Sequence, residues 1–420
     1  MLIGTCGLFA ILTTNSPAID ITPTQSTSSG DVRIVKESLQ VSYSVTDITP
    51  PVPLPLGGYT QRQDKTMEGV QDRLYARCLI LRKGAKEVAL VSMESLTVPG
   101  GFAKEVEKGI KQRGFQGTLF LTATHTHCAP DSQMLNERMK RKLPGIAAYD
   151  PTWRKWYADK IIECVSNAKE FTDVQSVTLY SGKAKLNHPR VIERKADSTL
   201  TRLRFRTKEN HYELLHYAAH PTIYSEKMNF TSGDWCGIWT AMSSNRIFFN
   251  GAMGDIAPSP PNGKTEAERV KNTAEALENT PVESKIRLNS ADLNIFVEPV
   301  NLPAPIPHPE FAKRYNVPDA LAKILVNEFA EREAQVIIVR YGEIALIGIP
   351  GEPTAEVGIH IQKIANKKGI RYPIVVSFCN AWLGYILTDE EYHKGGYEAT
   401  LSFYGDGLAE CILQTVEKAI

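Results

Sequence analysis

The sequence predicts a mixed α/β fold in which β-sheets are covered by α-helices, within a single large catalytic domain. Short apolar runs bounded by turn residues recur along the chain, as is typical of buried strands. Between them lie longer segments whose apolar residues share one face, as is typical of helices. The chain has 420 residues, of which 42 % are hydrophobic, and this supports a sizeable core.

The predicted strands begin with Leu39–Val45, in which apolar and polar residues alternate. The stretch Asn279–Pro309 is rich in Pro and Asn, and we expect a loop excursion there. Apolar runs predict further strands at Arg77–Leu81, Glu87–Met93, Thr118–Thr122, Val174–Gly182, Leu200–Arg206, Tyr212–Ala218, Val336–Tyr341 and Ile344–Ile349.

The clearest helix start is Asp150 followed by Pro151, because Asp caps an N-terminus and Pro fits the first turn. This helix is expected to run to about Phe171. Other patterns predict helices at Ala103–Arg113, Trp235–Ser243, Thr265–Leu277, Pro318–Arg332, Thr354–Lys367 and Leu408–Glu417.

Residues 1–38 are predicted to be a signal or disordered segment that precedes the catalytic domain, 39–420. Met1 to Thr13 are apolar but lack a basic start, and a polar stretch follows. This pattern favours a weak signal peptide, and hence a secreted or periplasmic protein, over an uninformative terminus. Cys6 loosely resembles the lipid-modified cysteine of a lipoprotein, which would associate the protein with a membrane.

The charges are balanced, with 48 Lys and Arg against 47 Asp and Glu. This balance gives no electrostatic case for nucleic acid or an anionic membrane surface as a partner. The partner that we expect is a small-molecule or lipid substrate. The seven cysteines form no C-x-x-C pair, so neither a disulfide framework nor a cysteine zinc site is expected. No later run of apolar residues is long enough for a transmembrane segment.

Side chains that bind metals follow several predicted strands. Histidines and a carboxylate in such places predict a zinc hydrolase, because zinc takes nitrogen and oxygen ligands and activates water near neutral pH. Two of the histidines are two residues apart, so on an extended segment both face one cavity. They need not both bind the metal, since one could ligate while the other moves protons. The set is His125, His127, His220, Glu352, Tyr385 and Tyr397.

Each candidate also has a purely structural interpretation. The paired histidines could be hydrogen-bonded loop residues, and His220 could be a satisfied core residue. Glu352 could be the N-terminal charge of the next helix. Asp255 lies in a Gly- and Pro-rich loop that either approaches a ligand or forms surface turns, and Asp234 could cap a helix. The agreement between the candidates favours the metal site.

The motifs, in this order, resemble those of the neutral/alkaline (non-lysosomal) ceramidase family, in its N-terminal catalytic domain. The resemblance covers roughly residues 40–420, and it identifies the chain as a divergent member. The motifs are Asp47-Ile-Thr-Pro-Pro with Gly57-Gly-Tyr, Thr124-His-Thr-His, His220, Ser232-Gly-Asp-Trp, Gly254-Asp-Ile-Ala-Pro, Pro350-Gly-Glu and Tyr385…Tyr392…Tyr397-Glu-Ala.

The resemblance implies a role for each site residue. The family's zinc ligands would be His125, His220, Glu352 and Tyr385. His127 would be the acid/base and Tyr397 the oxyanion donor, while Arg190 resembles an arginine that faces the substrate.

One departure from the family bears on the mechanism. The family's proposed serine nucleophile matches Ala257, and Ser259 stands two residues further on. We therefore predict a zinc-dependent hydrolase that cleaves an amide (N-acyl) or related bond with a metal-activated water, which needs no serine. Its alternatives are a true ceramidase acting on N-acyl sphingoid lipids and a metal-binding relative without catalysis.

Overall fold

Strands and helices alternate along the described part of the chain. The structure, a computed structural model, describes residues 37–63, 65–191, 193–288 and 290–420. Residues 1–36, with Cys6 and most of the predicted signal segment, lie outside this description. The chain from Glu37 to Ile420 forms one compact unit.

The strands are numbered in chain order. They are β1 (Gln40–Asp47), β2 (Gly69–Val70), β3 (Tyr75–Lys83), β4 (Lys86–Met93), β5 (Thr118–Ala123), β6 (Thr172–Asp173), β7 (Ser176–Lys183), β8 (Asn187–Pro189), β9 (Thr199–Arg206), β10 (His211–Tyr217), β11 (Phe230–Thr231), β12 (Arg246–Asn250), β13 (Ile256–Pro258), β14 (Ser284–Leu288), β15 (Leu293–Pro299), β16 (Gln335–Tyr341), β17 (Ile344–Gly348), β18 (Glu352–Pro353), β19 (Tyr372–Val376) and β20 (Tyr385–Ile386).

The α-helices follow the same order, and short 3₁₀ turns lie at Thr60–Arg62 and Ser132–Leu135. The helices are α1 (Gly100–Gln112), α2 (Pro151–Asn167), α3 (Asp234–Ala241), α4 (Glu266–Glu278), α5 (Phe311–Arg314), α6 (Asp319–Phe329), α7 (Ala355–Lys367), α8 (Asp389–Lys394), α9 (Tyr397–Thr400) and α10 (Leu408–Ala419).

Three larger sheets form the framework. Their strand orders are β5-β4-β3-β1-β6, β12-β10-β9-β7-β14 and β15-β16-β17-β19. Each sheet contains one parallel pair, namely β4 with β5, β10 with β12 and β17 with β19, while the other pairs are antiparallel. Three additional two-stranded sheets, β11-β2, β13-β8 and β18-β20, are formed by short strands between the larger elements.

The three sheets share one apolar core. Leu90 and Phe120 come from the first sheet, Leu214 and Phe249 from the second and Ile337 from the third. The rings of Phe120 and Phe249 stack with centroids 5.5 Å apart. Full burial of one such side chain is worth about 1.5–3 kcal/mol, so this core holds the sheets in a fixed relation to each other.

Helices cover the outer faces of the sheets, which confirms the predicted α/β class. Residues of α1 and α2 share a core with the first sheet, and those of α7 and α10 share one with the third. Asp150 caps α2 as predicted, because its carboxylate accepts from the amides of Thr152 and Trp153 at 2.8 and 3.2 Å. No helix among the described residues is long and apolar enough to cross a bilayer.

The predicted loop excursion at Asn279–Pro309 was wrong, because this stretch contains β14 and β15. Strand β14 pairs with β7 at one sheet edge, and β15 pairs with β16 along its whole length. Strand β14 carries only isolated apolar residues and depends on pairing with its neighbour. Strand β15 does contain a short apolar run, Ile295–Val297, but the Pro and Asn residues around it favour a loop on sequence alone.

Candidate metal centre

The candidate ligands stand where the three parallel strand pairs end. Strand β5 leads to His125 and His127, β10 leads to His220, and β17 leads to Glu352. Parallel neighbours end at the same edge of a sheet. The shared core brings these three edges together, so residues distant in the sequence meet in one place.

The segment with the two histidines is not extended, contrary to the prediction. His125 has φ +71°, and a non-glycine residue in this left-handed region costs about 1–2 kcal/mol. Thr126 points away and donates its hydroxyl to the carbonyl of Ser232 at 2.7 Å. The two rings still meet, with Nε2 of His125 and Nε2 of His127 3.4 Å apart.

His125 and His220 are oriented by backbone carbonyls. Nδ1 of His125 lies 2.7 Å from the carbonyl oxygen of Leu96, and Nδ1 of His220 lies 3.0 Å from that of Ile256. These contacts place the ring proton on Nδ1 and leave Nε2 as the free acceptor, as in metal-binding histidines. Both rings are buried.

Glu352 offers one oxygen to both histidines. Its Oε1 accepts a hydrogen bond from the indole of Trp382 at 2.7 Å. Its Oε2 lies 3.6 Å from Nε2 of His125 and 3.6 Å from Nε2 of His220. Glu352 Oε2 and His220 Nε2 are buried and have no hydrogen-bond partner.

These atoms fit a zinc ion. Ligands 2.0–2.2 Å from a tetrahedral zinc lie about 3.3–3.6 Å from one another, which matches the 3.6 Å separation of Glu352 Oε2 from Nε2 of each histidine. Unpartnered polar atoms are costly in a protein interior, and a cation would satisfy both of them. Burial also lowers the pKa of His125 and, strongly, that of His220, which keeps the imidazoles neutral as ligation requires.

His127 belongs to the same cluster. Ring nitrogens of His125, His127 and His220 lie within 4.8 Å of one another. Burial is the main reason that the pKa of His127 is well below its usual range. The ring of Tyr59 lies 4.7 Å from that of His127, and Arg62 donates to the His127 carbonyl at 2.6 Å.

The tyrosines and Arg190 form the outer side of the centre. Tyr385 on β20 pairs with Glu352 on β18, and its ring lies 5.9 Å from that of Tyr397. Burial raises the pKa of Tyr385 well above its usual value, whereas Arg190 lowers it. Arg190 also pairs with Glu398 at 3.2 Å.

Tyr397 connects the interior with solvent. The residue is 42 % exposed, yet burial of its hydroxyl end raises the pKa to about 12. A phenol with this pKa stays protonated near neutral pH, so it can donate a hydrogen bond. The structure thus brings all seven predicted site residues into one connected group.

Residues 39–250, about half of the chain, match the family described as neutral/alkaline non-lysosomal ceramidase, N-terminal. The chain belongs to this family. It is 33 % identical over 94 residues to the neutral ceramidase of Mycobacterium tuberculosis, a stretch that covers 22 % of this chain and 15 % of that protein. The corresponding match to the Pseudomonas aeruginosa neutral ceramidase is 34 % over 70 residues, or 16 % of this chain and 10 % of that one.

Solved structures of the ceramidase family share the fold. The crystal structure of the Pseudomonas aeruginosa neutral ceramidase superimposes with a TM-score of 0.77 at 17 % identity, over 91 % of this chain and 74 % of that one. A ceramidase complexed with C2 has a TM-score of 0.76 at 15 % identity, over 91 % and 75 % of the two chains. At these identities the likeness concerns the fold.

The position of the ceramidase family's serine motif lies beside the centre. Ala257 on β13 pairs with His188 on β8, and the hydroxyl of Ser259 shares a hydrogen bond with Nδ1 of His188, with the two atoms 2.7 Å apart. The carbonyl of Ile256, on the same strand, holds His220. Strand β13 therefore orients a candidate ligand.

The two aspartates singled out in the sequence are buried and structural. Asp255 accepts from the amide of Ala355 at 2.9 Å, at the start of α7, and pairs with Arg194 at 3.3 Å. Asp234 is the first residue of α3 rather than its cap. Its carboxylate accepts from the amides of Ile223, Tyr224 and Trp235.

Several supporting residues escaped sequence analysis. Trp382, Tyr59 and Arg62 lie far along the chain from the ligands that they contact, and no spacing rule connects them. One signal was available for the Gly57-Gly58-Tyr59 motif. Gly58 has φ +87°, and an added Cβ would overlap the imidazole of His127, so only glycine fits there.

Proposed function

We propose that this chain is a zinc-dependent hydrolase that cleaves the amide bond of an N-acyl substrate. The observation that carries the proposal is the meeting of His125 Nε2, His220 Nε2 and Glu352 Oε2 around one point, two of them without any other partner. Tyr385 is the fourth ligand. Zinc in such a site supplies Lewis-acid chemistry, which polarises a carbonyl and lowers the pKa of water.

His127 moves the protons of this reaction. Its low pKa means that the neutral imidazole, which accepts a proton, is available near pH 7. It takes a proton from the attacking water as the new C–O bond forms. It then donates that proton to the amine nitrogen as the C–N bond breaks.

Tyr397 and Arg190 stabilise the oxyanion that develops on the substrate carbonyl. The Tyr397 phenol stays protonated, and the Arg190 guanidinium stays charged beside Glu398. One such donor is typically worth about 3 kcal/mol of transition-state stabilisation. No serine is required, which is consistent with Ala257 at the position of the family's nucleophile.

The test combines metal analysis with a substrate panel. We expect the purified protein to contain one zinc per chain and a chelator to abolish hydrolysis of N-acyl lipids, N-acyl sugars or N-acyl amino acids. Zinc should restore activity better than magnesium or calcium. A protein that binds zinc but cleaves no member of the panel would be a metal-binding relative without catalysis.

A second candidate is a ceramidase that acts on N-acyl sphingoid lipids. It is supported by the names of the relatives and by the shared fold. The same panel separates the two proposals. Cleavage of ceramide well above that of simpler N-acyl amines would favour the narrower activity.

A further inference from the structure

Arginines near the centre differ in how their charges are balanced. Arg190 pairs with Glu398 at 3.2 Å. Arg194 pairs with Asp255 at 3.3 Å and with Glu391 at 3.5 Å. These two positive charges are therefore neutralised by carboxylates within the protein.

Arg314 is different. It is the exposed last residue of α5, and no carboxylate among the described residues forms an ion pair with it. Glu310 stands one helical turn earlier but directs its carboxylate to the amide of Gly396, at 3.4 Å. The Arg314 guanidinium instead lies over the ring of Tyr397, 5.6 Å from the ring centroid, and also interacts with the side chain of Tyr315.

The position of Arg314 places this charge at the exposed end of the group of site residues. Tyr385 lies beside Glu352, and the ring of Tyr397 lies 5.9 Å from that of Tyr385. Tyr397 is 42 % exposed, and the guanidinium of the exposed Arg314 lies over its ring. A substrate whose carbonyl accepts from the hydroxyl of Tyr397 would therefore lie near Arg314.

The side chain of Arg314 is chemically suited to bind an anionic group. A guanidinium presents donors that match the two oxygens of a carboxylate or phosphate, and stacking on an aromatic ring restricts its motion. We propose that Arg314 binds an anionic group of the substrate, so that the enzyme prefers acidic N-acyl compounds, such as N-acyl amino acids, to neutral ones. This inference rests on the proposed amide hydrolysis.

The kinetic test uses a matched pair of substrates. N-lauroylglycine and N-lauroylethanolamine have the same acyl chain and differ mainly in the carboxylate. We expect wild type to favour N-lauroylglycine about five- to tenfold in kcat/KM, mainly through KM, which is the scale of a solvent-accessible charged hydrogen bond. The preference should shrink in high salt.

Two variants locate the effect. Arg314→Gln should reduce the ratio of the two kcat/KM values to about one. Lys313→Gln removes the neighbouring exposed charge and should keep the wild-type ratio. A second pair, N-succinyl and N-butyryl benzylamine, carries the charge on the acyl side and shows which half of the substrate meets Arg314.

The outcomes separate this inference from the proposed function. If amides are cleaved but Arg314→Gln leaves the kcat/KM ratio unchanged in both substrate pairs, the inference is overturned and the proposal of a hydrolase stands. If no amide is cleaved, calorimetric titration of the zinc-loaded protein with N-lauroylglycine decides the matter. Binding that weakens at least fivefold in Arg314→Gln but not in Lys313→Gln supports the anion site, and equal binding in all three proteins refutes it.

Discussion

Among single residues, Trp382 sets which oxygen of Glu352 faces the histidines. Its indole N–H holds Oε1 and thereby leaves Oε2 for the centre. Outer partners of this kind commonly change metal affinity when they are removed.

We predict that Trp382→Phe weakens zinc binding about 10- to 100-fold, because it keeps an aromatic ring but removes the donor to Glu352. Competition with a chromophoric chelator measures the affinity. Trp153→Phe, a change at a partly buried tryptophan of α2, serves as the control. An unchanged affinity in Trp382→Phe would mean that the indole does not support the ligand.

The roles of His125 and His127 are separable by substitution. His125→Ala should remove the metal, since its Nε2 is one of the three converging acceptors. His127→Ala should keep the metal but lower turnover about 10²- to 10⁴-fold, the range for loss of a general acid/base. Elemental analysis together with single-turnover rates measures both. Loss of zinc from His127→Ala would make His127 a ligand.

The role of Ser259, two residues beyond the position of the family's nucleophile, is also testable. Its hydroxyl shares a hydrogen bond with His188, and we expect Ser259→Ala to leave turnover nearly unchanged, with no initial burst of product. Stopped-flow measurement of product release shows whether a burst occurs. A burst combined with an inactive Ser259→Ala enzyme would point to a covalent intermediate on Ser259.

At the scale of elements, the loop Gly57-Gly58-Tyr59 forms one wall around His127. The loop brings its backbone against the imidazole, and Tyr59 packs its ring on the same histidine. The loop therefore positions His127, the proposed acid/base.

Gly58→Ala should lower both stability and activity. The positive φ costs about 1–2 kcal/mol for alanine, and the new methyl group displaces His127. Gly369→Ala is the matched control, since Gly369 has φ +80° but nothing lies near its Cβ position. Thermal unfolding should show a loss of stability in both variants, larger in Gly58→Ala because of the contact with His127, and kcat should fall only in Gly58→Ala.

The elements that the sequence predicts well are those with their own local signal. Apolar runs in the sequence marked β4, β5, β10 and β17. The histidines of the site follow β5 and β10, and Glu352 follows β17. Strand β14 carries only isolated apolar residues and depends on pairing with a neighbour, and the short apolar run of β15, Ile295–Val297, lies among Pro and Asn residues that indicated a loop. The left-handed backbone at His125 and the Trp382 contact likewise depend on residues that are distant in sequence.

At the scale of the whole molecule, the buried histidines make stability depend on pH. Burial lowers the pKa of His125, His127, His216 and His220 in the folded state. Below about pH 6.5 the unfolded chain therefore binds more protons than the folded one, and the folded state loses stability as the pH falls. Asp234 acts in the opposite direction, because burial raises its pKa to about 7.

We expect the metal-free protein to be less stable at pH 5.5 than at pH 7.5. Each histidine contributes up to about 1.4 kcal/mol per pH unit below pH 6.5. The carboxyl groups whose pKa burial raises, Asp234, Glu94, Asp131, Asp255 and Glu331, offset part of this loss. Urea unfolding after chelator treatment measures the difference. Equal or greater stability at pH 5.5 would show that these histidines are not held neutral in the fold.

The assembly of the centre from three sheet edges also concerns the order of events during synthesis. A ribosome releases the first histidines long before residue 352 emerges, and the closing of such long loops is slow. A nascent chain can thus offer imidazoles to any divalent ion but cannot complete the coordination. In the proposed metal site, selection of the ion would therefore wait until the last strands have docked. The ions available where folding is completed would determine which one the protein keeps.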